Sequence, residues 1–393
     1  MKICHVITRL ILGGAQENTL FTCAGQHALG HEVTLITGPA IGPEGQLLDE
    51  ASAGGYRVIV LDNLRREINP LRDWRAAHKL MRLLWDLKPD IVHTHSSKAG
   101  ILGRQAAWDI RDVLDRMRIV HTIHGLPFHP YQRAWLNALY IAMEKRAAKR
   151  THAIISVADA MTEKALAAGI GRREQYTTIY SGMNIAPYLQ TPPQAQEFRR
   201  SLLLPAGAVL VTQVSRLAEL KGHEFIIQAA GRMKRTNVHF CFVGDGRLTG
   251  RIKELISAAG LQSRFHLPGL LPPAMIPAVC HATDILVHCS LREGLARALP
   301  QGMLAGKPVV SFDVDGAREV VDATTGILLP PRDVPALAAA LDKLAGDEQL
   351  RQALGQAGRE RARAMFDHNI MVRKICEVYE RLAAGHEPNE PQA

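Results

Sequence analysis

Strand-like runs three to seven residues long alternate with helix-length segments along nearly the whole chain, and the alternation is played through twice. The first series occupies residues 2–8, 31–37, 57–61, 90–95, 118–124, 153–157 and 176–181. A continuous apolar run, as opposed to an in-out alternation, is what a strand covered on both faces looks like, and a helix-length spacer is what a parallel crossover needs. The pattern predicts right-handed βαβ units in a parallel sheet. At residues 187–206, PYLQTPPQAQEFRRSLLLPA, it breaks into a Pro- and Ala-containing connector with one helix. It resumes at 209–215, 238–243, 265–267, 285–289, 309–312 and 326–329, and a helical tail follows from Val334. Two α/β, Rossmann-like, doubly wound domains with parallel sheets facing across a cleft are expected. Their boundaries are 1–190 and 207–365, with a linker at 191–206 and a C-terminal helix ending in a frayed tail at 366–393.

Length agrees, because 393 residues exceed one ordinary core. With 47% hydrophobic and 22% charged residues the chain is globular by composition. A net charge of +9 implies acidic company, whether nucleotide phosphates, anionic lipid headgroups or nucleic acid. No nucleic-acid recognition motif accompanies that charge, so no nucleic acid is expected as a partner. The opening MKICHVITRLILGG is interrupted by Arg9, lacks a small-residue cleavage site and leads into Gly13-Gly14, so it reads as a first strand and not a signal peptide. No run is long enough to span a bilayer, and a soluble, cytoplasmic chain is expected. The six cysteines are scattered without C-x-x-C spacing and read as buried, reduced thiols.

Ligands of doubly wound sheets bind beyond the carboxyl ends of the strands. After the first strand, Gly13 and Gly14 open a helix, a layout that admits close approach of a phosphate or sugar and equally makes a tight strand-helix turn. G-x-G-x-x-G is absent; Gly244-Asp245-Gly246 comes nearest and ends at Thr249. His93 and His95 share one strand face, the geometry of a metal pair, but no Cys or carboxylate at ligand spacing accompanies them, so no metal is expected. His124, at a strand end before Gly125, is placed to face the cleft as a hydrogen-bond donor. In residues 131–150 a stripe of Trp135, Leu139 and Met143 predicts a core-facing helix side, while Lys145, Arg146, Lys149 and Arg150 suit anionic headgroups.

In the second half, Arg216 and Lys221 stand five apart in a loop entering a helix, a layout that can clamp a diphosphate. Residues 286–319 carry a strand, a loop with Arg292, Glu293 and Gly294, and a short helix with Pro300 in its first turn. A carboxylate ahead of a helix start whose first amides lack internal partners is a composition suited to a sugar phosphate.

Gly13-Gly14, His124-Gly125, Arg216-x4-Lys221-Gly222, FVGDGRL at 242–248 and Glu293-Gly294, in that order over nearly the whole chain, resemble the retaining glycosyltransferases of family 4, which have the GT-B fold. The resemblance implies a hexosyltransferase in which Arg216 and Lys221 hold the donor's diphosphate, and Glu293 contacts the hydroxyls of the transferred sugar. It also implies that the amides of Gly294, Leu295 and Ala296 approach phosphate and sugar, that His124 bonds the sugar, and that Gly13 and Gly14 lie under the phosphates. Gly269 and Leu270 would meet the base through backbone groups. One position departs: the family has Glu, seven residues, Glu, and the second is Gln301 here, an amide able to accept one ribose bond.

Asp313-Val314-Asp315 spells the D-x-D of metal-dependent glycosyltransferases, but it lies between a strand and G-A-R-E, where Glu319 matches the GT-B pattern; a turn is predicted, with no metal and no cofactor. The resemblance implies front-face transfer with retention, in which the leaving phosphate takes the acceptor's proton and the protein supplies positioning and electrostatics. HTHSSKAGILGRQAA at 93–107 is similar to members that build capsular and exopolysaccharide units on lipid carriers, and a uridine diphosphate sugar is expected as donor ahead of a guanosine one. The similarity implies a glycan or polyprenyl-diphosphate-linked acceptor at an anionic membrane surface, and a peripheral location at the inner face of the plasma membrane. Two other functions suit the same fold: a nucleotide-sugar epimerase, and a weakened nucleotide-sugar-binding scaffold suggested by Gln301.

Overall fold

Each apolar run is a strand. In a computed structural model that describes residues 1–40 and 45–385, they are β1 (Lys2–Ile7), β2 (Glu32–Thr37), β3 (Arg57–Val60), β4 (Ile91–His95), β5 (Arg118–Ile123), β6 (Ala153–Ser156) and β7 (Tyr176–Thr178). The second series is β8 (Val209–Val214), β9 (Val238–Val243), β10 (Phe265–Gly269), β11 (Ile285–His288), β12 (Val309–Phe312) and β13 (Gly326–Leu329). They sort into a seven-stranded sheet of order β3-β2-β1-β4-β5-β6-β7 and a six-stranded sheet of order β10-β9-β8-β11-β12-β13. Every pairing is parallel.

Burial explains the uninterrupted apolar runs. All six residues of β9 and all four of β12 are buried, because helices cover both faces of a parallel sheet. Strand order reverses between β1 and β4 in one sheet and between β8 and β11 in the other, and at such a switch point the flanking crossovers diverge and leave a crevice at the strand ends. Gly13-Gly14 follows β1, His95 ends β4, Arg216 and Lys221 follow β8, and Glu293 follows β11, so these residues lie at the two switch points, whereas His124 follows β5 and Gly269-Leu270 lie at the end of β10.

The chain divides into two compact units at places other than those read from the sequence: one comprises residues 1–183 plus the chain from His368, the other residues 184–367. The expected linker at 191–206 is packed into the second unit. Phe198 of helix Gln194–Ser201 and Leu202 just after it bury against Leu210, Cys241 and Val279. Arg199 donates to the Ala282 and Ala208 carbonyls at 2.6 and 2.9 Å and pairs with Asp284 at 2.9 Å. Helix His368–Ala383 returns to the first unit, laying Met371, Val372, Ile375 and Tyr379 against Ile3, Ile91, Val120 and Ile155 of its sheet. The tail expected to fray, 386–393, lies outside the described residues. All six cysteines are free and buried, and burial pushes the Cys4 thiol up to about 12.

A second correction concerns helix Ala134–Ala148. Trp135, Leu139 and Met143 are 63, 46 and 40% exposed, not core-facing. The buried side is Glu144, Ala147 and Ala148, because Glu144 meets the fully buried Arg104 at 2.6 Å. An ion pair thus takes the place an apolar stripe was expected to fill. Among the described residues no helix is long and apolar enough to cross a membrane.

Candidate active site

In the second unit two loops, one after β8 and one after β11, are tied together by their backbones. The Leu291 amide donates to the Leu220 carbonyl at 2.8 Å. Gly222 lies so close to the Cys289 carbonyl that a Cβ would stand 1.9 Å from its oxygen, and its φ of 73° is left-handed, so only glycine fits without strain. Gln213, wholly buried on β8, binds both loops: its amide nitrogen donates to the Lys221 carbonyl at 2.9 Å and to Ser215 Oγ at 3.0 Å, and its Oε1 accepts from the Cys289 amide after β11 at 3.4 Å. A third loop nests beside them at Gly244, whose φ is 139° and whose Cβ would meet the Ser215 carbonyl at 2.0 Å.

This scaffold brings Lys221 Nζ to 2.5 Å from Glu293 Oε1, with each side chain about one-fifth exposed. His288, the last residue of β11, donates from Nε2 to the same oxygen at 3.1 Å. Asp315 accepts the Glu293 backbone amide at 2.6 Å, which anchors the loop from the other side. Burial by itself would raise the Glu293 carboxyl, but the Lys221 ammonium and the His288 bond outweigh it and hold the group well below the usual carboxylate range. The carboxylate is therefore ionised at neutral pH.

Arg216 is exposed and makes no ion pair among the described residues. Gly294 is half-buried, Leu295 and Ala296 are buried, and Gln301 sits half-buried in helix Ala298–Leu304, of which Pro300 is the third residue. Gly269 spends its carbonyl on the Gly244 amide at 2.9 Å, and Leu270 is 61% exposed beside it. Asp313-Val314-Asp315 is a turn, with Asp313 paired to Arg318 and Asp315 on Glu293.

In the first unit Gly13 precedes helix Gly14–Ala28 with extended backbone (φ 177°). His124 lines a cavity of ≈ 250 Å³ with Gly125, Ser96 and Ser97. Its Nε2 is turned inward to His95 Nδ1 at 3.2 Å; His95 Nε2 meets His5 Nδ1 at 2.9 Å, and His5 Nε2 meets Gln26 Oε1 at 2.8 Å. The Gln26 carbonyl can only accept, so with neutral rings every Nε2 in the row is a donor and every Nδ1 an acceptor. Burial lowers His5 to about 4 and His95 well below its ordinary value, which keeps the rings neutral. Nitrogens of His5, His93 and His95 lie within 4.8 Å of one another, near enough for a shared metal ion. They are committed elsewhere: His93 bonds Tyr379 and Thr122, and His5 and His95 bond each other.

Sequence reading missed His288, Gln213 and Asp315 as partners of the site. Residues 194–361 match the model of the glycosyl transferases group 1, and residues 13–182 match that of a glycosyl transferase 4-like domain. A Streptomyces fradiae protein named 2-deoxystreptamine N-acetyl-D-glucosaminyltransferase is 30% identical over 359 residues, spanning 86% of this chain and 82% of its own. The chain is a group 1 glycosyltransferase. An Escherichia coli relative named UDP-Gal:alpha-D-GlcNAc-diphosphoundecaprenol alpha-1,3-galactosyltransferase is 28% identical over 356 residues, 89% of each chain. The glycosyltransferase shares its GT-B fold with Anabaena HepE, solved in complex with UDP and glucose, at a TM-score of 0.82 and 22% identity over 97% of this chain and 99% of that one.

Proposed function

We propose that this glycosyltransferase transfers a hexose from a uridine diphosphate sugar to a polyprenyl-diphosphate-linked glycan in polysaccharide assembly, with retention at the anomeric carbon and without a metal ion. The observation that carries the reading is the ionised Glu293 held against Lys221 at 2.5 Å. An ammonium beside a carboxylate at the ends of adjacent strands offers a cation to a leaving diphosphate and an acceptor to sugar hydroxyls in one place. Arg216 adds a second cation. Glu293 Oε1 already receives two bonds, from Lys221 and His288, which suits a group that orients a sugar better than one that attacks it. Front-face departure of the diphosphate then asks the protein for positioning and charge, with His124 contributing a hydrogen bond to the sugar and Gly13-Gly14 leaving room for phosphate. The acceptor class is supported by the name of the Escherichia coli relative.

The test is transfer from a panel of nucleotide sugars to undecaprenyl-diphosphate-linked sugar acceptors, with the new linkage read by NMR and the assay repeated in chelator. Retained anomeric configuration and chelator-insensitive turnover are expected. An inverted product, or activity lost to the chelator and restored by a divalent ion, overturns the mechanism; tight donor binding with no transfer to any acceptor favours a scaffold.

A further inference from the structure

The exposed stripe of helix Ala134–Ala148 does not face open solvent along its whole length. Leu139 and Met143 form one wall of a groove of ≈ 510 Å³ in the first unit, and Ile68, 72% exposed, with Ile101 and Leu102 supplies the rest of an apolar trough. A volume of this size is typical of small-molecule sites. The same lining is also charged. Arg9, following β1, and Lys98, following β4, belong to it with Arg66. The two carboxylates of the lining are matched already, Asp73 by Lys98 at 2.7 Å and Glu144 by Arg104 at 2.6 Å. The lining therefore carries three cations against two carboxylates, one of them answered from outside the lining by Arg104, and Arg9 and Lys98 place it beyond the carboxyl ends of the strands flanking the switch point. The groove shares Ser96, Ser97, Pro127 and Glu144 with the smaller cavity lined by His124 and Gly125.

A polar cavity that shares residues with a groove carrying both cations and apolar walls offers, in one connected space, partners for the sugar, the diphosphate and the hydrocarbon of a lipid-linked glycan. We infer that the groove binds the polyprenyl diphosphate part of the acceptor, with the diphosphate at Arg9, Arg66 and Lys98 and the first prenyl units along Ile68, Leu139 and Met143. This inference rests on the lipid-linked acceptor of the preceding section and assigns it a place.

Farnesyl diphosphate, titrated calorimetrically into the protein at saturating UDP so that the donor's phosphate site is filled, is the probe. Saturable binding is expected, with farnesol and inorganic diphosphate each far weaker. Ile68→Asn with Leu139→Asn should weaken farnesyl diphosphate about tenfold or more, because two apolar walls are lost, and should leave the melting temperature unchanged, because both side chains are exposed. Arg66→Gln should weaken farnesyl diphosphate and leave farnesol unaffected. Wild-type binding that survives all these changes overturns the groove, as does absence of binding. If the double variant loses only its attachment to phosphatidylglycerol vesicles, the apolar face is a membrane-docking surface and the inference is wrong. No farnesyl diphosphate binding alongside intact transfer to a lipid-linked acceptor overturns the groove and leaves the acceptor reading standing; binding without transfer to any lipid-linked acceptor does the reverse.

Discussion

Glu293 is ionised because Lys221 and His288 converge on one of its oxygens, so removing the ammonium has two separable consequences. Lys221→Met leaves a largely buried carboxylate with only a histidine to answer it, at a cost of about 1.5–3 kcal/mol near neutral pH. The Glu293 carboxyl titrates lower folded than unfolded, so the pair's stabilisation is complete above the unfolded value of about 4.3 and is lost as the pH falls below it. Urea titrations of wild type and Lys221→Met should accordingly differ most near neutrality and converge in acid; a gap that widens in acid contradicts the ion pair. Activity should fall roughly 100-fold in kcat/KM through loss of a charge aimed at the leaving diphosphate. At Gln301, the position where the family resemblance departs, Gln301→Glu substitutes a charge-assisted acceptor for a neutral one, a gain of about 1 kcal/mol or roughly fivefold in UDP affinity. The gain should vanish for a UDP analogue lacking both ribose hydroxyls, and calorimetry that finds it undiminished there would remove Gln301 from the ribose site. The ion pair joins Lys221 and Glu293, two residues that the sequence singled out separately because the spacing within each loop is local. His288, Gln213 and Asp315 were not legible, since a histidine in an apolar run or an aspartate in a turn looks ordinary until the fold brings it to Glu293.

The loops owe their shape to strands and glycines, and the strands were the most legible elements of all. A run buried on both faces has nothing to alternate with, so β9 and β12 announce themselves by composition alone. Helices were harder. Periodicity says which side is apolar but not what covers it; in Ala134–Ala148 the buried side is chosen by the Glu144–Arg104 pair, whose members lie 40 residues apart, and the apolar stripe is left outside. Gln194–Ser201 was read as a connector because Phe198 and Leu202 are too few to betray a packed face. Where loop meets loop, Gly222 is the element's pivot. Gly222→Ala forces a side chain into left-handed backbone and against the Cys289 carbonyl, a penalty of roughly 2–4 kcal/mol, or about 5–15 °C in melting temperature for a unit of this size. Lys221 is its neighbour, so UDP affinity should fall with it. A variant that melts as the wild type does, by calorimetry, would show that the loop accommodates a Cβ.

At the scale of the whole chain the two units share an architecture and differ in their histidines. Burial, the leading cause in each case, lowers His5 and His152 of the first unit to about 4, and His93, His95 and His121 well below their ordinary value. The second unit has one comparable group, His223, lowered to about 4 by burial and by the neighbouring His288 and Lys221. An unfolded histidine takes up a proton near pH 6.5, which these folded rings refuse, so below that pH protons favour unfolding by up to about 1.4 kcal/mol per pH unit for each such group. Stability is therefore full above about pH 6.5 and declines as the pH drops toward about 4, with the first unit declining faster. All four tryptophans, Trp74, Trp85, Trp108 and Trp135, lie in the first unit, so their fluorescence reports it alone, while circular dichroism reports both. Urea unfolding at pH 7.5 and at about pH 5 should show the fluorescence midpoint moving to lower urea by more than the dichroism midpoint, and His5→Gln should shrink the difference by taking one refusing ring out of the row. Coincident midpoints at both pH values would mean that the buried rings do not set the acid response of the unit that holds them.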